Sequence, residues 1–325
     1  MGNIIAFKSC LKEKLDTYLK LRESQGHKTS KERHIFISLD NYLQNAKFNE
    51  HKLTPCVIDS WLSSLPEELN VNTVNVYISH YIQFARYLQS LGYTAFVPEK
   101  SISNKSYVPY IFHDDELLAL VKSADDMLAS TSGKHRHNTA CFTVMLRMFI
   151  GCGFRLNELR LLKTKDVDVN HGIILINNAK GDKDRIVPMH DSLIKILRIY
   201  ALSSYPQKEN WFFPSLTGNP ISSSWIRDAF LKCIQHIGIE KPELPKHSRN
   251  ICLHCIRHSY AVAALRQLDR KGIDLYSEIP ILSTYMGHEN LYGTEHYLHM
   301  TVENSQDVLS MMDEFNKGLF PEVSE

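Results

Sequence analysis

Apolar residues recur at helical spacing through the first third of the chain. Over Phe7–Ser24, Leu11, Leu15, Tyr18 and Leu19 share one stripe, the three-to-four-residue recurrence of an amphipathic helix. Ser30–Gln44 repeats the pattern through Ile35, Leu39, Tyr42 and Leu43. Pro55–Leu65 predicts a shorter helix, with Thr54 as cap and Pro55 at the favoured first position. Asn72–Leu91 predicts another, whose broad apolar face carries Val74, Tyr77, Ile78, Tyr81, Phe84, Tyr87 and Leu88, and which stops at Gly92. Residues 1–98 therefore predict a helical bundle. The polar stretch 99–107, EKSISNKSY, lacks large aliphatics apart from one isoleucine and reads as a linker.

Beyond the linker the periodicity becomes mixed. Helices are predicted over Asp114–Ala124, Asn138–Ile150, Arg155–Leu162, Ser192–Leu202, Ser222–Ile237 and Leu253–Asp269. Between them, Gly172–Asn177 and Asp184–Met189 are rich in β-branched residues and are joined by a hairpin-like Asn178–Lys183. WFFPS at 211–215 predicts a buried connection. A second domain over 108–325, mainly α with a small β-hairpin or sheet, follows.

Composition changes this outline little. A chain of 325 residues with 43% hydrophobic and 22% charged residues can build two ordinary cores. The most apolar segment, 140–154, is interrupted by Arg147, so no membrane span is expected. Residues 1–14 lack a signal-peptide pattern, and Ala6 stands where myristoylation would want Ser or Thr. The seven cysteines are then expected as reduced thiols in a cytoplasmic protein. A net charge of +1 is not the mark of a nucleic-acid binder, but basic residues from Lys8 to Arg33 contrast with an acidic stretch after Tyr297. That asymmetry fits a DNA-facing arm and a solvated helix surface equally.

Candidate chemistry concentrates in Leu253–His299. His254, Arg257 and His258 stand at i, i+3 and i+4 and so share a helix face. Gly287-His288 ends an apolar helical run, and Thr294 is positioned to cap a short helix carrying Tyr297. An always-charged guanidinium fork, two imidazoles and a phenol suit an anionic, tetrahedral group. Upstream, the turn at Gly153 sets Arg155 at a helix start with Glu158 one turn on. The run Ala179-Lys180-Gly181-Asp182-Lys183-Asp184-Arg185-Ile186-Val187-Pro188 puts Lys180 at a hairpin tip.

In this order, these motifs resemble the tyrosine recombinases, also called phage-type integrases. The matches are Gly153/Arg155/Glu158/Leu159, then Lys180-Gly181 with Lys183, Arg185 and Pro188, then His254/Arg257/His258, then Gly287-His288 with Tyr297. Ala179, Ile256 and Met286 stand where the family usually has glycine, leucine and leucine, and none of these departures removes a chemical group. The resemblance covers roughly 108–301; the N-terminal helices are similar to the family's core-binding domain only loosely.

The resemblance implies a recombinase that cuts and rejoins double-stranded DNA through a covalent 3′-phosphotyrosyl intermediate. Tyr297 would be the nucleophile, and Arg155 and Arg257 would clamp the non-bridging oxygens. Lys180 would protonate the leaving 5′-oxygen, His254 would assist with protons, and His288 would donate to a phosphate oxygen. Glu158 and His258 would support them. No metal and no cofactor is implied. Partners would be DNA and further copies of the chain, a tetramer on two DNA sites, or related recombinases. Past Tyr297, Val308, Met311, Met312, Phe315 and Leu319 form an apolar stripe, expected to dock on a neighbouring protomer or back on its own domain.

Other readings stay open on the residues alone. Lys180 suits an ordinary solvated turn, and His258 suits a satisfied core imidazole. Cys252, His254, Cys255 and His258 are zinc-ligand types, although no second cluster at structural-zinc spacing accompanies them. A type IB topoisomerase uses similar tyrosine chemistry, and a catalytically silent relative would bind DNA without an adduct.

Overall fold

Among the described residues, small polar side chains cap the starts of three helices. The Asn70 side chain accepts the N–H of Asn72 and opens α4, Val71–Ser90. Ser222 does the same for α9, Ser223–His236, and Asp274 for α11, Leu275–Met286. Thr54 occupies the cap position of α3, Pro55–Ser63, with Pro55 first in the helix; its side chain makes no cap bond. The computed structural model describes residues 6–50, 52–100, 108–177, 184–203, 210–240, 250–288, 294 and 297. Lys180, Lys183 and the apolar stripe after Tyr297 lie outside the described residues.

The chain divides into two units, Met1–Ser106 and Tyr107–Glu325. In the first, α1 (Lys12–Ser24), α2 (Ser30–Asn45), α3 and α4 turn their apolar stripes onto one core. α1 starts at Lys12, more than a turn after the predicted start at Phe7, because residues 7–11 approach as a loop held by the Asp40 carboxylate, which accepts the N–H groups of Lys8 and Ser9. Leu15, Leu19, Phe36, Leu39, Trp61, Tyr81 and Phe84 are fully buried there. Tyr18, Phe36 and Phe84 meet with centroids 5.2–5.8 Å apart, each ring pair adding about 1 kcal/mol beyond its area.

In the second unit α6, His135–Cys152, is the central element. Cys141, Phe142, Met145, Leu146, Met148 and Phe149 are buried around most of its circumference. Against it pack α5 (Asp114–Ser130), α8 (Asp191–Leu202), α9 and α10 (Leu253–Arg270). Arg147 interrupts the apolar run at no cost to the core: it leans to the edge and pairs with Asp125 at 2.6 Å. Phe212 and Phe213 of the 211–215 segment are buried, with Phe212 N–H bonded to the Leu162 carbonyl.

The β-rich runs form an antiparallel sheet of β1 (Val167–Asp168), β2 (Ile173–Ile176) and β3 (Arg185–Pro188), in that order. Ile174 faces Val187 and Ile176 faces Arg185 across β2 and β3. The period-two alternation buries Ile174, Ile176 and Val187 and turns Ile186 outward. The same alternation carries Arg185 inward, on the face of Val187. Among the described residues no helix is long and apolar enough to cross a membrane. The fold is mainly α with a small antiparallel sheet, as the periodicities predict.

Candidate active site

Helix ends build this site. Gly153, at φ +63°, closes α6 in the left-handed region, and a Cβ there would sit 2.8 Å from the Tyr260 ring. After this sharp turn Arg155 is the extended residue that opens α7, Leu156–Arg160. The Glu158 carboxylate reaches back to the Arg155 N–H at 2.8 Å, half of a capping box, and also pairs with the Arg155 guanidinium at 2.7 Å. Gly287, at φ +65°, closes α11; a Cβ there would meet Arg185 Nη1 at 2.8 Å and Arg155 Nη1 at 3.3 Å. Only glycine lets two guanidinium groups lie this close to the backbone.

Arg257 is 1% exposed. It donates to the Gly153 carbonyl at 2.8 Å and to the Met286 carbonyl, so one fork ties the ends of α6 and α11 together. Arg155 Nη2 donates to the Gly287 carbonyl at 2.6 Å. Cations at helix C-termini are favoured because unpaired carbonyls concentrate negative charge there. Burial and the neighbouring Arg155 charge bring Arg257 down to about 10, which leaves it charged at neutral pH.

Arg185 is the residue that sequence reasoning passed over as a site residue, although it lies in a quoted motif. It is 8% exposed, grips Glu158 through both Nη atoms at 3.0 and 2.8 Å, and donates from Nε to the Tyr285 carbonyl at 2.8 Å. The signal that could have found it is an arginine in an inward register position of an otherwise apolar strand. Burial works to raise the Glu158 carboxyl, but bonds and charge from Arg185, then Arg155, bring it down to about 2. Three guanidinium groups around one carboxylate leave the site net positive, as an anion requires.

The remaining predicted residues stand on α10 and beyond the end of α11. His254 and His258 meet edge to face with ring centroids 4.6 Å apart, His254 exposed and His258 half-buried. His258 Nδ1 lies 2.8 Å from the Tyr297 hydroxyl, so its partner is the phenol rather than a general core group. His288 Nδ1 lies 2.7 Å from the Thr294 hydroxyl. Thr294 is itself helical rather than the capping residue expected, and this bond is where its hydroxyl goes. Burial, then the charges of Arg257 and Arg155, lower His288 to about 4, so it is neutral at pH 7.

Tyr297 is 2% exposed and packs with Val262, Leu265, Leu282 and Met286. Burial raises its hydroxyl, and the Arg257 and Arg155 charges oppose that rise. Its rival Tyr285 stacks on Tyr260 at 5.7 Å, and burial raises its hydroxyl strongly; Tyr292 lies outside the described residues. Cys252 and Cys255 sulfurs are 3.9 Å apart. Among the described residues no group of three or more His, Cys, Asp or Glu side chains is arranged to hold a metal ion.

The fold places this chain among solved recombinase structures. It superposes on the Tn1549 transposon integrase (residues 82–397, in complex with circular intermediate DNA) with TM-score 0.61 at 16% identity, over 93% of this chain and 98% of that one. For the XerH site-specific recombinase bound to palindromic difH substrate the TM-score is 0.60 at 21% identity, over 86% and 78%. The sequence narrows the class further. The chain belongs to the phage integrase family of tyrosine recombinases, whose family model matches residues 112–304. Tyrosine recombinase XerC of Lactobacillus delbrueckii subsp. bulgaricus is 27% identical over 306 residues, 90% of this chain and 95% of the relative.

Proposed function

We propose that this site-specific recombinase cuts and rejoins double-stranded DNA through a 3′-phosphotyrosyl link to Tyr297. The observation that carries the reading is the convergence of Arg155, Arg257, His288 and Tyr297 at the end of α11. Attack by the phenol on the phosphorus builds negative charge on the non-bridging oxygens. Arg155 and Arg257, already immobilised by backbone carbonyls and by Glu158, stabilise that charge without reorganising. Neutral His288 has a ring N–H to give a phosphate oxygen. His258, bonded to the phenol, and His254 against it form a route for the proton that leaves Tyr297. Lys180 protonates the departing 5′-oxygen. The phosphotyrosine conserves the bond energy, so rejoining is the same reaction with a 5′-hydroxyl as nucleophile.

Arg185 and Glu158 hold Arg155 in place, and the N-terminal unit serves as the core-binding domain. Solved relatives support assembly on DNA: lambda integrase is described as a tetramer bound to a Holliday junction. Strand exchange needs two cut duplexes, so we infer a tetramer on two DNA sites, in the cytoplasm where its DNA lies.

The test is the covalent adduct. Tyr297→Phe should bind DNA and form no adduct, whereas the unaltered chain should yield a DNA-linked peptide containing Tyr297. Sequencing the trapped DNA would also recover the target site. A linked peptide carrying Tyr285 or Tyr292 would overturn the assignment, and binding with no adduct from the unaltered chain would identify a silent DNA-binding relative.

A further inference from the structure

The start of α10 carries a feature the recombination chemistry does not use. Cys252 is its N-cap residue and Cys255 its third residue, with the proposed catalytic His254 between them. Their sulfurs are 3.9 Å apart, and the Cys252 N–H points at Cys255 Sγ at 3.5 Å. An N-cap position favours Ser, Thr, Asp or Asn, whose oxygen takes the orphan N–H groups; cysteine is a poor substitute. Side chains at the cap and third positions face one another, as every capping box shows. Cys252 is half-buried and Cys255 fully buried.

We propose that Cys252 and Cys255 are a redox modification site, forming a reversible disulfide that slows DNA cleavage. The oxidant class is a small disulfide. The Cys252 thiolate attacks one of its sulfurs, forming a mixed disulfide and expelling one thiolate. Cys255 then attacks the Cys252 sulfur and expels the second. Two electrons pass to the oxidant, and the two protons of the cysteine thiols end on the two released thiols. Nothing else is needed, and a dithiol reverses each step.

Closing the pair must bring the sulfurs from 3.9 Å to about 2.05 Å. The two sulfurs flank His254 in the first turn of α10, so strain from closing them would fall on His254, whose ring touches His258, which in turn holds the Tyr297 hydroxyl. Displacements of about 1 Å at reacting groups cost on the order of 10²-fold in rate, so a small local closure is enough. The effect on cleavage rests on the roles proposed for His254 and Tyr297; formation of the disulfide does not.

The experiment uses the full chain with the exposed Cys56→Ser, equilibrated in oxidised glutathione. Peptide mass mapping should find the 252–255 peptide two hydrogens lighter. Single-turnover adduct formation on a nicked duplex of the recovered target should fall about tenfold or more, and dithiothreitol should restore it. Adding Cys252→Ser should leave cleavage insensitive to the oxidant. Cys255 remaining a free thiol after full oxidation would overturn the proposal, as would an oxidised chain that cleaves as fast as the reduced one. A reduced chain that forms no adduct would sink the recombination reading and the proposed effect on cleavage with it, while the mass map would still decide the disulfide.

Discussion

A single carboxylate, Glu158, organises two of the three guanidinium groups, and its removal is the sharpest probe of the site. Glu158→Gln leaves Arg185, with 6% of its side chain exposed, as a buried cation without its counter-charge. Breaking such a pair costs about 3–5 kcal/mol, so urea unfolding of the variant should show a loss of that order. The pH dependence follows from the same group. Its folded carboxyl is held near 2, below its unfolded value, so its contribution is complete above the unfolded value and is lost as pH falls toward 2. His288 acts in the same direction: its folded value near 4 lies below the unfolded imidazole's, so stability falls as pH drops from about 6.5 toward 4. Chemical denaturation at pH 7, 5.5 and 4 should therefore show a decline that His288→Gln flattens over this window. Lys180 supplies a test of chemistry rather than stability. Lys180→Ala should slow cleavage by about 10²–10⁴-fold, and a substrate with sulfur at the bridging 5′ position, whose thiolate leaves without a proton, should rescue it. Arg155→Ala should stay impaired on both substrates. Equal Lys180→Ala defects on both would make Lys180 a DNA-positioning residue.

Among the elements, α11 does more than fill space. Its final carbonyls, those of Tyr285, Met286 and Gly287, receive Arg185, Arg257 and Arg155 in turn. The helix end is thus a three-point frame for the guanidinium groups, and Gly287 makes the frame possible. Gly287→Ala adds the left-handed backbone penalty of about 1–2 kcal/mol and pushes a methyl into the Arg185 fork. We expect DNA binding to persist and single-turnover cleavage to fall about tenfold or more, by the displacement argument. Cleavage at the unaltered rate would mean that the fork tolerates the shift and that the frame is not tight. The Arg155 turn between α6 and α7 works in the same manner. Gly153 permits the reversal, and Tyr260 closes over it.

For the whole molecule, assembly is the open arm of the proposal. We propose that the stripe of Val308, Met311, Met312, Phe315 and Leu319, on an acidic stretch of the sequence, docks on a neighbouring protomer. Truncation after Met300 should leave binding to one DNA site intact and weaken pairing of two sites, measured by native gel and by sedimentation. Undiminished pairing would mean that the stripe packs on its own unit.

Local spacing and punctuation carried most helices of both units, because an amphipathic helix must bury one stripe and that stripe is written locally; α6, buried around most of its circumference, showed instead as an apolar run ended by glycine. The order of motifs put forward Arg155, Glu158, His254, Arg257, His288 and Tyr297 as the proposed site for a related reason: turn glycines and helix faces are short-range features. What stayed hidden was long-range. The inward turn of Arg185 toward Glu158, 27 residues away in the chain, depends on strand register against β2. The bond from His258 to Tyr297 spans 39 residues, and Thr294 is a hydroxyl partner for His288 rather than a cap. The late start of α1 came from Asp40, 31 residues beyond the Ser9 N–H it accepts. The chain's local pattern decides which segments are helix or strand. Only packing decides which polar groups meet, because a buried polar group takes whichever partner the assembled elements bring within hydrogen-bonding distance.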